Sequence, residues 1–295
     1  MRIVVFGAGS LGSLIGGLLA RVNDVTLVGR EPHVKAVRET GLTISGAIEE
    51  TVHPDAGTDP PPSTDLAVVT VKAFDTEPAA RRLASCSLDA ALSLQNGMGN
   101  EETLAAHLDA PVLAGTCTYG AMLAEPGVVE CTGVGEVHLG ERDGGHSDLA
   151  SLVGEAFATA GIETTVSGEM PRKRWEKLAV NAGINPVTAL ARVPNGALVD
   201  GPANDLATAA AAETARVARG AGVDLSATDA TDAVETVAAA TARNTSSMFQ
   251  DVQAGQRTEI DAINGYVVDV ADAPVPVNET LASLVRAWET ARDVR

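Results

Sequence analysis

The stretch that decides the fold is RIVVFGAGSLGSLIGGLLARVNDVTLVGR, residues Arg2–Arg30. An apolar, β-rich run enters a glycine turn, continues as an apolar helix and returns as a second short strand, DVTLVGR. That succession is a βαβ unit. Inside it, GAGSLG sets Gly7, Gly9 and Gly12 at G-x-G-x-x-G spacing, after a strand and at the opening of a helix, which is the context the motif requires. The first glycine permits a tight turn, the second lets the backbone approach a pyrophosphate at the positive end of the helix, and the third lets helix and strand pack closely. Gly7, Ala8, Gly9, Ser10, Leu11 and Gly12 are therefore the expected dinucleotide cradle. A chance glycine turn is the competing reading, and it leaves the flanking strand, helix and strand unexplained. The end of the second strand selects the dinucleotide. An acid there suits the ribose hydroxyl of NAD, whereas an arginine suits a 2′-phosphate. Here LVGR ends in Arg30, which points to NADP(H), with Glu31 beside it as the opposing signal and a solvated loop arginine as the alternative.

Further along, LAVVTVKA (Leu66–Ala73) and AALSLQN (Ala90–Asn96) read as buried strands. APVLAGTCTYGAML and GVVECTGVGEVHLG read as later strands with glycine-rich connections, and His53–Asp65 reads as a turn-rich loop. From about Ser167 the character becomes helical through to the last residues. The fold class expected is α/β, with an N-terminal Rossmann dinucleotide-binding domain over 1–166 and an all-helical C-terminal domain over 167–295.

Composition bounds the function. The 295 residues favour two domains over one, and 45% hydrophobic residues suffice for sizeable cores. No apolar run reaches membrane-spanning length, and the N-terminus lacks a signal-peptide pattern, so a cytoplasmic protein is expected. Cys86, Cys117 and Cys131 have no C-x-x-C spacing, and the five histidines are dispersed, so neither disulfides nor a metal site are expected. A net charge of −18 and a pI near 4.6 argue against nucleic acid or anionic membrane as a partner. Lysine occurs only at 35, 72, 173 and 177. Scarce lysine with abundant acid is similar to proteins of salt-loving cytoplasms, the alternative being an acidic protein of a GC-rich genome.

A second pattern lies in KLAVNAGINPVTAL, Lys177–Leu190. Lys177, Asn181 and Asn185 recur every four residues, and positions four apart turn by about 40° on a helix, so the three share a face. Buried amides need partners, so the row is either an internal network or the wall of a polar site. Pro186 is expected to bend or end this helix. Lys72 and Asn96 stand at the carboxyl ends of two strands, the edge at which open α/β sheets bind ligands. Ser247 and Glu259 are twelve residues apart, about 18 Å in a straight helix, so serving one site requires a bend, for which Gly255 is the obvious place. Arg172, Lys173 and Arg174 read as a solvated basic turn.

Taken in order, GAGSLG, VKAFDT, LQNGMGN, KLAVNAGINPVTAL, VPNGAL and SSMFQDVQAGQRTEIDAINGY resemble the ketopantoate reductase (2-dehydropantoate 2-reductase) family from Gly7 to Tyr266. The resemblance implies a Rossmann domain joined to a helical domain similar to that of 6-phosphogluconate dehydrogenase. It also implies an NADP-dependent oxidoreductase that reduces 2-dehydropantoate to (R)-pantoate on the route to pantothenate and coenzyme A. By motif it implies Lys177 as general acid and Glu259 as its supporting carboxylate. It implies Asn96, Asn181, Asn185, Asn195 and Ser247 as substrate-binding, and Lys72 and Asn96 on the cofactor side. Gln95, Asn100 and Phe249 are small departures around these motifs. A helical domain of this kind often dimerises, so a homodimer is the natural expectation.

The chemistry agrees with the residue types. Ketone reduction needs a hydride donor on one face and a proton donor for the developing alkoxide, and no histidine falls in any motif. A lysine in a partly closed site can serve as acid while its charge stabilises the alkoxide. Carboxamides and a hydroxyl orient an α-keto acid without repelling it, and Lys72, Lys177 and Arg30 would make the site locally positive in an acidic chain. Two other readings compete: reduction of another 2-oxo or 3-hydroxy acid on the same plan, and a non-catalytic dinucleotide sensor, which would not need the polar residues of the helical half.

Overall fold

A computed structural model describes every residue, Met1–Arg295, in two compact units. One comprises Met1–Gln95 and Asn100–Met170, the other Asn96–Gly99 and Pro171–Arg295.

The first unit begins β1 (Arg2–Phe6), α1 (Ser10–Leu19), β2 (Asp24–Val28), α2 (His33–Thr40), β3 (Leu42–Gly46), β4 (Glu50–Val52), β5 (Asp55–Gly57) and β6 (Ser63–Val69). It continues through α3 (Thr76–Leu83), β7 (Ser87–Ser93), α4 (Asn100–Ala105), β8 (Val112–Cys117), β9 (Gly120–Glu125), β10 (Val128–Gly133), β11 (Val137–Glu141), α5 (Asp148–Thr159) and β12 (Thr164–Val166). Eight strands form one sheet in the order β12-β11-β8-β7-β6-β1-β2-β5, every neighbouring pair parallel except β11 with β8. Alternate residues of β1 explain why it reads as unbroken apolar sequence. Ile3 and Val5 join a core with Leu14, Ile15 and Phe157, while Val4 and Phe6 join one with Ala80, Leu83 and Leu104. A strand covered on both faces has no polar alternation to show.

Two features depart from the expectation. The segment expected to be turn-rich holds β5, which pairs with β2 at the sheet edge. A second sheet, β4-β3-β10-β9, is also present, with β3 and β10 parallel although more than eighty residues separate them. Leu42, Ile44, Val129 and Cys131 bury this sheet in the α1 core. Gly17 allows the approach, because a Cβ there would meet Ile44 Cδ1 and Leu42 Cδ2 at 2.9 Å. All three cysteines are free and buried.

The second unit contains α6 (Met170–Ala191, its first residue in the other unit), α7 (Gly201–Gly220), α8 (Ala227–Ala240), α9 (Ser247–Gln253), α10 (Tyr266–Val270) and α11 (Pro276–Ala291). Asn195–Leu198 forms a 3-10 turn and Asp261–Gly265 a π-helical turn. Their core is largely alanine and small aliphatics, with Trp175, Leu178, Phe249, Ile260 and Leu281 as larger members. Arg172, Lys173 and Arg174 lie in the first turns of α6, not in a basic turn, and Arg174 is buried. No helix is long and apolar enough to cross a membrane.

His33 pins the first unit. Its Nδ1 accepts the Gly127 N–H at 3.0 Å, so Nε2 carries the proton and donates to Ser13 Oγ at 2.9 Å. Burial pushes this imidazole below its usual pKa. The unfolded chain binds a proton near pH 6.5 that the folded chain resists, so the contribution is present above about pH 6.5 and is lost as pH falls through the folded value. Urea unfolding midpoints measured from pH 7.5 to 5 should therefore fall less steeply for His33→Gln, by at most one bound proton. An identical slope would show that His33 does not titrate with folding.

Candidate active site

The glycine turn shows three different uses of a missing side chain. Gly7 has φ of +116°, and a Cβ there would lie 2.6 Å from Val71 N. Gly12 faces the Gly7 carbonyl and the Thr70 hydroxyl so closely that a Cβ would collide with both. Gly9 differs, because a Cβ would meet nothing nearer than the Gly7 carbonyl at 3.9 Å. Its glycine is not required by packing, and the space it leaves open is what a pyrophosphate cradle needs. The first-turn amides of α1, on Ser10, Leu11 and Gly12, have no carbonyl partner within the helix and are the natural donors to such an anion. Ala8 contributes differently, its N–H being used on the Val28 carbonyl at 2.9 Å. Ser10 Oγ accepts the Leu123 N–H at 3.0 Å, which ties the turn to β9.

Arg30 stands two residues past β2, with its side chain 90% exposed and Nη2 3.4 Å from Asp75 Oδ2. Gly29 brings this backbone against the turn, since a Cβ would lie 2.8 Å from Ala8 Cβ. β6 and β7 end at Val69 and Ser93, so Lys72 and Asn96 lie three residues beyond their strands and not at the last strand residues as expected. Lys72 precedes a 3-10 turn, Ala73–Asp75. Gln95 and Asn100, which looked incidental in the sequence, are buried and hold this loop. Gln95 Nε2 donates to Val71 O at 3.0 Å and to Thr76 Oγ1 at 2.7 Å, and Thr76 Oγ1 lies 2.8 Å from Asn100 Oδ1.

In the helical unit α6 is continuous over 22 residues, so Lys177, Asn181 and Asn185 do share a face, Asn185 buried and the other two half-buried. Pro186 lies inside this helix and does not end it. Proline removes the donor for the carbonyl four residues back, here that of Ala182, and Asn264 Nδ2 donates to it at 3.0 Å instead. Ser247 opens α9, and its predecessor Ser246 caps that helix through Phe249 N at 3.1 Å while its hydroxyl sits 2.7 Å from Thr188 Oγ1 of α6. The expected bend is present: α9 stops at Gln253, and Gly255 has φ of +64°.

Glu259 is buried, and its backbone is fixed on both sides. Thr258 donates its N–H and its hydroxyl to Glu289 Oε1, both at 2.7 Å, and Ile260 N–H reaches Thr258 Oγ1 at 3.3 Å. Glu289 is fully buried and also accepts from Arg295 Nη1 at 3.0 Å. Two residues on, Asp261 accepts Arg286 Nε at 2.8 Å and Arg295 Nη2 at 2.9 Å. Burial alone would raise the Asp261 carboxyl, but these guanidinium bonds hold it below its usual range. Asn96 Nδ2 lies 3.4 Å from Glu259 Oε2. Its loop fits through Gly97, at φ +80°, where a Cβ would come within 2.6 Å of Ala262 Cβ, and through Met98 N–H bonded to Ala262 O at 3.0 Å.

Asn195 is buried, donating its N–H to Asn244 O at 3.0 Å and Nδ2 to Thr241 Oγ1 at 2.9 Å. It thereby holds the segment leading into α9. Sequence reading passed over Asp251, a buried acid on α9 four residues after Ser247; that spacing was the available signal. It also passed over Asn264. No group of three or more His, Cys, Asp or Glu is arranged to hold a metal ion.

The glycine geometry separates binding from folding. Gly9→Ala should weaken dinucleotide binding at least tenfold with unfolding free energy nearly unchanged. Gly12→Ala should cost about 1–3 kcal/mol of stability through overpacking. Cofactor titration and urea unfolding check both, and equal stability losses would sink the distinction.

Comparison with known proteins agrees with this plan. Residues 3–144 match the family described as ketopantoate reductase PanE/ApbA, and residues 169–289 match its C-terminal family. A 2-dehydropantoate 2-reductase of Halobacterium salinarum is 46% identical, covering 97% of this chain and 98% of that one. One from Archaeoglobus fulgidus is 40% identical, covering 98% of each. Among solved structures, a PanE/ApbA family ketopantoate reductase from Ralstonia eutropha JMP134 superposes with a TM-score of 0.90 at 33% identity, covering 99% of this chain and 100% of that one. D-mandelate dehydrogenase with NADH and anilino(oxo)acetate shares the fold, with a TM-score of 0.92 at 24% identity and full coverage of both chains.

Proposed function

The chain belongs to the ketopantoate reductase family, and from that premise we propose that it reduces 2-dehydropantoate to (R)-pantoate with NADPH, using Lys177 as the general acid. The observation that carries the assignment of roles is the single face of α6 on which Lys177, Asn181 and Asn185 stand, in a unit that also buries Glu259 beside Asn96. The α/β unit holds the dinucleotide, and the helical unit, which includes Asn96–Gly99, holds the keto acid and carries the proton chemistry. This is a cytoplasmic biosynthetic step on a small molecule.

The residues fit the cofactor. Gly9 leaves open the volume a pyrophosphate would fill, and the first-turn amides of α1 supply donors. Arg30, with its exposed guanidinium, is suited to a 2′-phosphate, and Lys72 adds positive charge on the same unit. NADPH, when bound, supplies the hydride.

The chain's own residues supply the rest. Asn181, Asn185 and Ser247 orient the α-keto acid by hydrogen bonds that add no negative charge near its carboxylate. Lys177 places an ammonium at the ketone oxygen, stabilises the charge that develops there and transfers a proton to it. The resulting amine is reprotonated from solvent. Glu259, fixed through Thr258 and Ile260 and with Asn96 Nδ2 3.4 Å from its Oε2, holds that lysine's orientation.

Following NADPH and NADH consumption at low and molar KCl tests the reading. Lys177→Ala should lower kcat with ketopantoate by at least a hundredfold, about 2.7 kcal/mol. A loss under tenfold would remove it as the acid. Arg30→Ala should shift the NADPH-to-NADH preference toward NADH. Faster turnover of another keto acid in the same assay would overturn the substrate, and no turnover despite tight NADPH binding would favour a sensor.

A further inference from the structure

Asn264 lies five residues beyond Glu259, in the π-helical turn, and is fully buried. The orientation of its amide is forced by a chain of partners. The Glu213 carboxylate and the Ala210 carbonyl only accept, and Asn278 Nδ2 donates to them at 2.9 and 3.0 Å. Asn278 Oδ1 therefore faces Asn264, whose Nδ2 donates to it at 3.0 Å and to Ala182 O at 3.0 Å. The chain is anchored in turn, because Glu213 also accepts the Val277 and Asn278 N–H groups at the start of α11.

The receiving carbonyl is the one that Pro186 deprives of its helical donor. An interior proline destabilises a helix through the lost bond and the clash of its ring with that carbonyl. The break falls within the polar row: Lys177 and Asn181 precede Ala182, and Asn185 directly precedes the proline. The angle at this point sets where Asn185 stands relative to Lys177.

We propose that Asn264 is a positioning residue for the reduction, supplying the hydrogen bond that Pro186 denies to Ala182 and so fixing Asn185 and Lys177 for the keto acid. The proposal rests on the reading of the α6 row as the substrate-binding face. Asn264 touches neither substrate nor cofactor in this account. It joins the turn that follows Glu259 to the helix that carries the row, so one amide sets two catalytic elements against each other within the helical unit.

A double-mutant cycle on the full chain decides it. Pro186→Ala gives residue 186 an N–H that can reach Ala182 O directly, making Asn264 redundant there. Asn264→Leu alone should raise KM for ketopantoate and lower kcat/KM at least tenfold, about 1.4 kcal/mol, with NADPH affinity unchanged. The double variant should recover most of that loss, and additive effects would overturn the proposal. If Asn264→Leu alone does not fold, a folded, NADPH-binding double variant supports the proposal, and failure of both overturns it. Asn185→Ala in the otherwise native chain separates the two readings. No change in KM there removes the row as substrate-binding, whereas a raised KM without coupling between 264 and 186 removes only the positioning role.

Discussion

The helical unit depends on one missing backbone proton. Pro186 interrupts the hydrogen-bond ladder of a 22-residue helix, and a side chain from elsewhere in the unit enters the gap. That requirement propagates. Asn264 needs an acceptor for its second hydrogen, Asn278 provides one, and Glu213 accepts what Asn278 has left to give. Both amide nitrogens of this buried polar chain are fully used, with Asn264 Oδ1 its one acceptor left without a partner, and through those bonds α6, α7, α11 and the π-helical turn are specified together. The π-helical turn is itself the kind of irregularity found at functional sites, and it begins two residues after Glu259.

The first unit solves a different problem, which is to leave room. Gly7 and Gly12 are dictated by atoms already present, whereas Gly9 answers to nothing in the chain. Charge follows a related division. The protein carries a net −18, against which the basic groups among its proposed site residues, Arg30, Lys72 and Lys177, stand out. Near Glu259 the acids are answered one by one, Glu289 by Thr258 and Arg295, Asp261 by Arg286 and Arg295.

Local pattern made the βαβ start, the polar face of α6 and the bend at Gly255 legible, because each depends on residues within a turn or two of one another. Long-range pairing did not show. The parallel contact of β3 with β10 joins segments that carry no mutual signal in a single sequence, and β5 is too short and too polar to stand out from a turn. Strand ends were read late at Lys72 and Asn96 because apolar loop residues such as Val71 and Leu94 continue the strand pattern after pairing has stopped. Pro186 was read as a bend or an end because the rule that interior prolines break helices assumes no outside donor, and Asn264 is 78 positions away. Gln95, Asn100 and Glu289 were silent for the same reason: the loops they hold, through Val71, Thr76 and Thr258, are distant in sequence.

Asn96–Gly99 belongs to the helical unit, although it is encoded in the middle of the α/β half, and Gly97 and Met98 seat it against Ala262. The boundary drawn along the chain is therefore not the boundary of the parts. A chimera made by exchanging everything after residue 170 for the equivalent portion of a relative would retain its own Asn96 loop and receive a foreign surface for it to sit on. Grafting a new substrate range onto this scaffold means moving those four residues with the helices.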